Sequence, residues 1–532
     1  MSRTILILGA GVMQLPAIRA ARRLGLHTIV ADGNSDAVGI READEFLPVD
    51  LKDHEGMAAA AEAIRRRRGL DAVFTAGTDF SATVAWVAER LGLPGTPHEA
   101  ALDATDKFRM RAVLREAGVS VPDFAVVDRE EIERGDLGSA ASRVGLPVVV
   151  KPVDSMGARG VVRADSWEEA LGFAREAVGY SRSGRVVVEG YIDGPEFSLD
   201  AIVSGDDIQI TGFADRHIRF PPYFIEVGHT IPTDLPGPER ALVVAEFTRA
   251  IRALRLGPGA AKGDIKLSRE GVVIGEVANR LSGGYMSGWT YPLSSGVPLS
   301  EIGIRVALGE PAPRVADTLR RTSAERAILS IPGTLRDLVG VHEAERSQAV
   351  EHVFITRAAG DTLVFPRNNV EKVGNVIAAA DSRIEASRAA ERAVSLVVAR
   401  LEPGDRDTAR FLFGAAEAGE VLPPEYRHRA FAPAQPVADT DRQTWARLRS
   451  AGSRIPVDRV QVPASLVSER GRDWCHRTLS ESVNALSRLT GLRVDLVDSP
   501  AALDAIDRCV VAALVKGGLQ GALYVVDSLA AH

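Results

Sequence analysis

Residues 262–296 read KGDIKLSREGVVIGEVANRLSGGYMSGWTYPLSSG. GDIKL and VVIGEVA alternate apolar and polar residues, and SREG between them has turn chemistry, so the stretch predicts two antiparallel strands joined by a short loop. That pairing brings Asp264 and Glu276 to one face. Two hard oxygen ligands side by side, with the Asn279 carbonyl oxygen close by, are what Mg²⁺ bridging nucleotide phosphates requires, because the ion keeps some waters and takes few protein ligands. Arg280 would then stand beside the phosphates. The following residues Leu281 to Gly288 include Ser282, Gly283 and Gly284, whose backbone N–H groups are unobstructed enough to hold an anion. An exposed hairpin with solvated charges is the competing reading.

Upstream lie further cations and acids. Thr105 or Asp106 caps a helix that carries Lys107 in its first turn, where a cation opposes the helix dipole and an anionic partner makes sense of it. Lys151 ends an apolar β-rich run and is followed by Ser155-Met156-Gly157-Ala158-Arg159-Gly160. A lysine beside a glycine-containing loop suits a phosphate clamp, although the GKS/T tail of a Walker A loop is absent. Glu189 ends the strand RVVVE, and a connector through Tyr191 and Ile192 reaches Glu196. That connector suits an adenine slot, with Glu196 placed to accept from ribose hydroxyls. Residues 215–235 are rich in turn formers and carry Arg216 and His229, which makes them the candidate substrate loop.

At the N-terminus, RTILILG, a glycine turn entering a helix, and HTIVAD form a βαβ unit. The turn reads Gly9-x-Gly11-x-x-Gln14, so the third glycine of the dinucleotide fingerprint is missing, yet Asp32 lies where an acid could hold a nicotinamide ribose. An NAD(P)-dependent oxidoreductase is therefore carried as an alternative of another class. Pro, Ala, Asp and Gly cluster over residues 402–442, which predicts a linker. Beyond it, helical and strand patterns alternate and end in GALYVVD, read as a strand. Trp474-Cys475-His476 sits in helical surroundings where the three side chains diverge, so it reads as packing rather than catalysis.

The 532 residues exceed what one core usually supports. With 45% hydrophobic and 25% charged residues the chain is an ordinary globular one. A net charge of −7 and an aromatic content of 5% argue against a nucleic-acid surface, and the basic run Arg65 to Arg68 suits the end of a helix. No apolar run is read as long enough to span a membrane. Two cysteines, Cys475 and Cys509, make neither a metal motif nor a disulfide framework, and point to the cytoplasm.

Lys107, Lys151, Glu189 to Glu196, Asp264, Glu276 and Arg280, in this order and spacing, resemble the ATP-grasp superfamily. The resemblance covers roughly residues 1 to 400 and extends to DTLVFPRNNVEKVGNVIAAADSRIEASRAAERAV, which looks like the cap of L-amino-acid ligases and purine-pathway enzymes. It implies an α/β chain with a doubly wound pre-ATP domain over residues 1–104 and an ATP-grasp domain over 105–310 with a lid at about 125–192. A cap over 311–401, the linker, and an additional small α/β domain over 443–532 would follow. It implies ATP and Mg²⁺, with Mn²⁺ as a substitute. Lys107, Lys151 and Ser155 to Gly160 would hold phosphates, Glu189, Tyr191 and Ile192 the adenine, Glu196 the ribose, and Asp264, Glu276 and Asn279 the metal. Gly157, Gly160 and Gly194 would lend the lid mobility. The chain departs from the family in having Ala278 two residues after Glu276, where a metal asparagine usually stands. The expected reaction activates a small carboxylate as an acylphosphate and joins it to an amine, with Lys151 and Arg280 catalytic; Arg216, His229, Ser282, Gly283 and Gly284 would face the substrate. Bicarbonate activation, a thiol acceptor and a non-catalytic nucleotide-binding regulator remain the alternatives, and a homodimer is left open.

Overall fold

Apolar residues fill β1 (Thr4–Leu8), and alternate side chains serve two cores. Ile5 and Ile7 meet Ala17 and Ile18 on one side, while Leu6 and Leu8 meet Met57 and Ala61 on the other. A strand buried on both faces needs helices on both faces, which is the doubly wound arrangement. β1 lies parallel to β2 (His27–Asp32) and β4 (Ala72–Phe74), and β3 (Glu45–Pro48) completes the order β3-β2-β1-β4. The dinucleotide reading fails at its two diagnostic positions. Asp32 accepts from the Ala10 and Asn34 N–H groups at 2.8 and 2.9 Å. Gln14, in place of the third glycine, is buried and clamps Ala76 through both ends of its amide.

The computed structural model describes residues 2–414, 439–450, 457–468 and 470–531. The chain forms two units: Met1–Ile218 with Gly228–Ala324 and Ala379–Arg383, and Arg219–Val227 with Glu325–Ala378 and Ile384–His532. In the first unit, an antiparallel sheet follows the N-terminal layer. It contains β5 (Phe124–Asp128), β6 (Val148–Pro152), β7 (Val162–Ala164) and β8 (Arg185–Gly190), in the order β5-β8-β6-β7. The helix Trp167–Ala177, capped by Ser166, covers it with Ala170 and Ala174 against Val148, Val150 and Val186.

The larger sheet contains β9 (Glu196–Ser204), β10 (Asp207–Arg219), β11 (Ile225–Ile231), β12 (Gly259–Ser268) and β13 (Gly271–Ala278), in the order β13-β12-β9-β10-β11. Residues two apart share a face. Phe197, Leu199, Ala201, Ile265, Ile274 and Val277 therefore turn to one side and pack with Val243, Phe247 and Ile251 of the helix Gly237–Ala253. Burying a side chain such as Phe247 contributes about 1.5–3 kcal/mol. Gly263 leaves room for that ring, since a Cβ there would lie 2.6 Å from Phe247 Cε2. The opposite face buries Ile202, Ala214 and Ala260 in a separate core and carries polar residues over the rest.

In the second unit, strands Gly333–Val339, Thr362–Leu363 and Val398–Leu401 form a small sheet. Their core continues without a break into the C-terminal segment: Leu335 and Leu401 share it with Val460, Leu466, Leu514 and Tyr524. The cap and the expected extra domain are thus one body, because neither buries its apolar face alone. The linker expected over 402–442 also starts too early. The helix Arg406–Phe413 is capped by Asp405 and buries Phe411, Leu412 and Phe413, while residues 415–438 lie outside the described residues. GALYVVD is not a strand but part of the helix Ala505–Ala530, interrupted at Gly518 (φ 57°). This helix is long and apolar enough to cross a membrane, which the sequence reading missed, yet 83% of its most apolar window is buried inside the protein. Trp474, Cys475 and His476 occupy a turn rather than a helix. Trp474 meets Phe365 edge-on, and burial pushes the Cys475 thiol up to about 12 and His476 down to about 3, so neither is poised for chemistry at neutral pH.

Candidate active site

The β12–β13 ladder decides the site. Asp264 stands opposite Glu276, and the next pair is Ile265 opposite Ile274, so Gly275 is an extra residue on β13. The bulge keeps the two carboxylates on one face while returning Ile274 to the core. It also requires glycine, since a Cβ on Gly275 would lie 2.9 Å from the Asp264 carbonyl oxygen. Across β12–β9 and β10–β9, Lys262 opposes Asp200, Asp264 opposes Ser198, and Lys266 and Arg216 oppose Glu196. One polar face therefore carries Glu196, Ser198, Asp200, Arg216, Lys262, Asp264, Lys266 and Glu276.

These groups are interlocked. Asp264 accepts from Ser198 Oγ at 3.0 Å and pairs with Arg216 at 3.0 Å and with Lys262. Glu196 pairs with Arg216 and, at 3.6 Å, with Lys266. Lys107 is buried, donates to the Ser155 carbonyl oxygen at 2.7 Å and lies 3.7 Å from Glu276. Burial opposes the charge of Glu276, but Lys107, Lys262 and Arg280 outweigh it and hold the carboxyl far below its usual range. Lys107, Lys151, Asp264 and Glu276 thus converge in one place, with Lys107 tied directly to the loop Ser155 to Gly160.

Lys151 reaches the site through a buried triad. Its Nζ lies 2.5 Å from Glu189 Oε2, and Glu189 also receives Arg111 Nε at 2.8 Å and Nη2 at 3.2 Å. Arg111 is fully buried and donates as well to the Gly275 carbonyl oxygen at 2.6 Å, which binds the bulge to the helix Lys107–Glu116. Burial pushes Lys151 down against the pull of Glu189. Glu189 itself is disfavoured by burial, yet the charges of Arg111 and Lys151 hold it below its ordinary value. The carboxylate of Glu189 is therefore an anchor for Lys151, not a free group lining an adenine slot. In the connector, the Tyr191 N–H is spent on the Pro147 carbonyl, Lys266 donates to the Ile192 carbonyl at 3.1 Å, and the Tyr191 ring lies under Arg163 and Lys266.

Several expected residues are placed otherwise. The Asn279 amide oxygen accepts from Thr96 at 2.7 Å, and Asn279 leaves the end of β13 an odd number of residues from Glu276, off the carboxylate face. Residues 215–235 are mostly the strands β10 and β11, not a loop; His229 is buried and bonded to Thr290 at 2.7 Å, and Arg216 serves the two carboxylates named above. Gly194 is a packing position rather than a hinge: at φ 134° a Cβ would meet the Leu267 carbonyl oxygen at 2.2 Å. Gly157 and Gly160 both have φ 68°, and a Cβ on Gly160 would press on Tyr180 and Ala177. Met156 accepts from Arg159 Nε through its carbonyl at 3.0 Å, which curls this loop on itself.

The loop after β13 is held from below. Asp200, fully buried, accepts from the Ser282 N–H at 2.9 Å and its hydroxyl at 2.5 Å. Burial raises Asp200 to about 6 while those bonds pull it back. Gly283 lies against Gly77, where a Cβ on Gly77 would come within 2.9 Å of its Cα, and Gly284 has φ 59°. Arg280 donates to the Thr78 and Leu281 carbonyls at 3.0 and 3.2 Å. Arg111, Asp200, Lys262 and Lys266 were not singled out from sequence. Their signal was periodicity: Arg111 is one helical turn after Lys107, Lys262 and Lys266 stand two residues either side of Asp264, and Asp200 shares its strand face with Glu196, four residues before it.

Three family models match the chain: ATP-grasp N-terminal domain over residues 18–95, ATP-grasp domain over 104–284, and L-amino acid ligase C-terminal domain 2 over 327–402. An uncharacterized protein of Sinorhizobium fredii is 27% identical over 392 residues, covering 73% of this chain and 80% of the relative. Carnosine synthase 1 of Gallus gallus is 29% identical over 59% of this chain, which spans 36% of that longer protein. The crystal structure of L-amino acid ligase from Bacillus licheniformis shares the fold with a TM-score of 0.67 and 23% identity, over 75% of this chain and 99% of the other.

Proposed function

The chain belongs to the ATP-grasp superfamily, and from that premise we propose that it is an ATP-dependent ligase that activates a small carboxylic acid as an acylphosphate and joins it to an amine. The observation that carries this reading is the pair Asp264 and Glu276, opposed across the bulge at Gly275, with Lys107 3.7 Å from the second acid.

Phosphoryl transfer needs little covalent help from protein; it needs positioning and charge stabilisation. Lys107 and Lys151 supply fixed positive charge for the phosphates, and the triad with Glu189 and Arg111 keeps the Lys151 ammonium in place. Ser155 to Gly160 covers that charge and excludes water, tied to Lys107 through the Ser155 carbonyl. Glu196 suits a ribose, and Tyr191 and Ile192 a base. Arg280 and the Gly283 and Gly284 N–H groups suit the oxyanion that forms when the amine attacks, on a loop that Asp200 holds through Ser282. Asp264 and Glu276 suit Mg²⁺, or Mn²⁺, because Glu276 is held ionised and a magnesium site takes one or two carboxylates with phosphate oxygens completing it. When bound there, the ion supplies charge neutralisation between the phosphates. Both cysteines are free and buried, which fits a reducing cytoplasm.

The test is a screen of amino acids and small acids in pairs for ATP-dependent phosphate release, with mass spectrometry of the product. ADP is expected only when the right acid is present, and Glu276→Gln should lower turnover by orders of magnitude. Steady ATP hydrolysis without acid, unchanged in Glu276→Gln, would overturn the assignment.

A further inference from the structure

β11 stops at Ile231, and the Thr233 N–H then bonds the Phe213 carbonyl at 2.8 Å. Next to that point β10 bulges at Thr211, between Ile210 and Gly212. Beside the bulge opens a cavity of about 350 Å³, lined wholly by residues of the first unit. Lys107, Lys151, Asp264 and Glu276 are not among its walls, so it is not the phosphate crevice. Its floor is polar and buried. Thr211 is 1% exposed, and its hydroxyl has no hydrogen-bond partner among the described residues. A buried polar group left unpaired costs about 1–3 kcal/mol, which a polar occupant offsets. Tyr291 is buried at the start of the helix Tyr291–Ser295. Burial and the Asp317 carboxylate hold its phenol above the ordinary value while Arg240 pulls it back, so charges of both signs act on one hydroxyl. The mouth carries Arg240 and Arg320 beside Asp317 and Asp381, all exposed. Among the described residues none of these four side chains makes a hydrogen bond or an ion pair, with each other or elsewhere.

We propose that this cavity is a second ligand site, which takes a small zwitterion, a free α-amino acid or a short peptide, with its carboxylate on Arg240 and Arg320 and its ammonium on Asp317 and Asp381. The physical reason is charge complementarity. Opposite charges that ring one cavity without neutralising each other suit a molecule that bears both, and a guanidinium fork matches a carboxylate in geometry as well as charge. Thr211 and Tyr291 then supply hydroxyls to the polar atoms between the two charged ends. The volume lies at the lower end of the range for small-molecule sites, which suits an occupant of this size. The site is independent of the ligase assignment, because it shares none of the groups on which phosphoryl transfer would depend.

Isothermal titration calorimetry on the full-length protein without nucleotide, with the common amino acids and a set of dipeptides as probes, tests this. At least one probe is expected to bind, and whether it is an amino acid or a dipeptide identifies the source. Its N-acetyl and carboxamide derivatives, each lacking one of the two charges, should bind about tenfold more weakly, the loss of one charge-assisted contact. The same loss is expected for the intact probe in Arg240→Gln and in Asp317→Asn. Both side chains are exposed, so the fold is not at stake, and circular dichroism checks it. Arg280→Gln, which alters the proposed catalytic loop, should leave the affinity unchanged. No binding by any probe at millimolar concentration, equal binding of a derivative lacking one charge, or binding that survives both Arg240→Gln and Asp317→Asn would overturn the inference. Those results would leave the ligase assignment standing, since that is read from acid-dependent ADP formation.

Discussion

Glu189→Gln is the most discriminating substitution. Its carboxylate is the sole anion of a buried triad with two cations, Arg111 and Lys151, at 2.8 and 2.5 Å, and Arg111 is wholly shielded from water. Removing the anion leaves two like charges buried together, and breaking a buried pair costs about 3–5 kcal/mol. Arg111→Met, by contrast, leaves Lys151 and Glu189 as a balanced pair and forfeits contacts worth about 1.5–3 kcal/mol. Hydrogen exchange of peptides from β5 to β8, read by mass spectrometry, reports this local opening without assuming that the two units unfold together. Protection in Glu189→Gln should fall roughly a hundred- to several-thousandfold, and more than in Arg111→Met. The pH dependence has a definite sign. Burial already pushes Lys151 below its ordinary value with Glu189 opposing, so the substitution lowers it further. The deficit is full below the lowered Lys151 value and shrinks as pH rises through it, because the ammonium then sheds its proton. Equal protection losses in the two variants, or the reverse order, would refute the reasoning.

Asp264→Asn should abolish acid-dependent ADP formation much as Glu276→Gln does, measured by coupled phosphate release. Gly275→Ala forces a Cβ to 2.9 Å from the Asp264 carbonyl, so it should weaken Mn²⁺ binding while the helix Gly237–Ala253 stays protected from exchange. Gly194→Ala, at φ 134° with a carbonyl 2.2 Å away, should destabilise by about 1–3 kcal/mol in urea unfolding. Asp200, raised from its ordinary 3.8 to about 6, gives stability that is full below 3.8 and is lost as pH rises through about 6; Asp200→Asn should flatten that slope in pH-dependent unfolding.

Much of this was legible in the residues. Alternation in KGDIKL and VVIGEVA is enough to pair the strands, because a strand half-buried on one face must alternate, but strict alternation from the turn would set Asp264 opposite Gly275, and only the bulge there brings Glu276 opposite Asp264. The order of lysines and acids along the chain was enough to suggest the superfamily. Other features depend on what the chain meets in space. Arg111 reads as a surface helix residue until Glu189 and the Gly275 carbonyl arrive from elements 78 and 164 residues away. Gly194 looks like a hinge until Leu267 closes over it. His229 and Arg216 look like loop residues because two long strands there carry turn formers at their ends. GALYVVD, rich in β-branched and aromatic residues, is helical because the core around Leu412 and Tyr524 accepts a helix in which every side is buried. Local pattern thus determined which side chains face together within an element, since backbone periodicity is intrinsic. Only the tertiary structure decided which of them lose their water and take partners, since desolvation and pairing are properties of the assembled core.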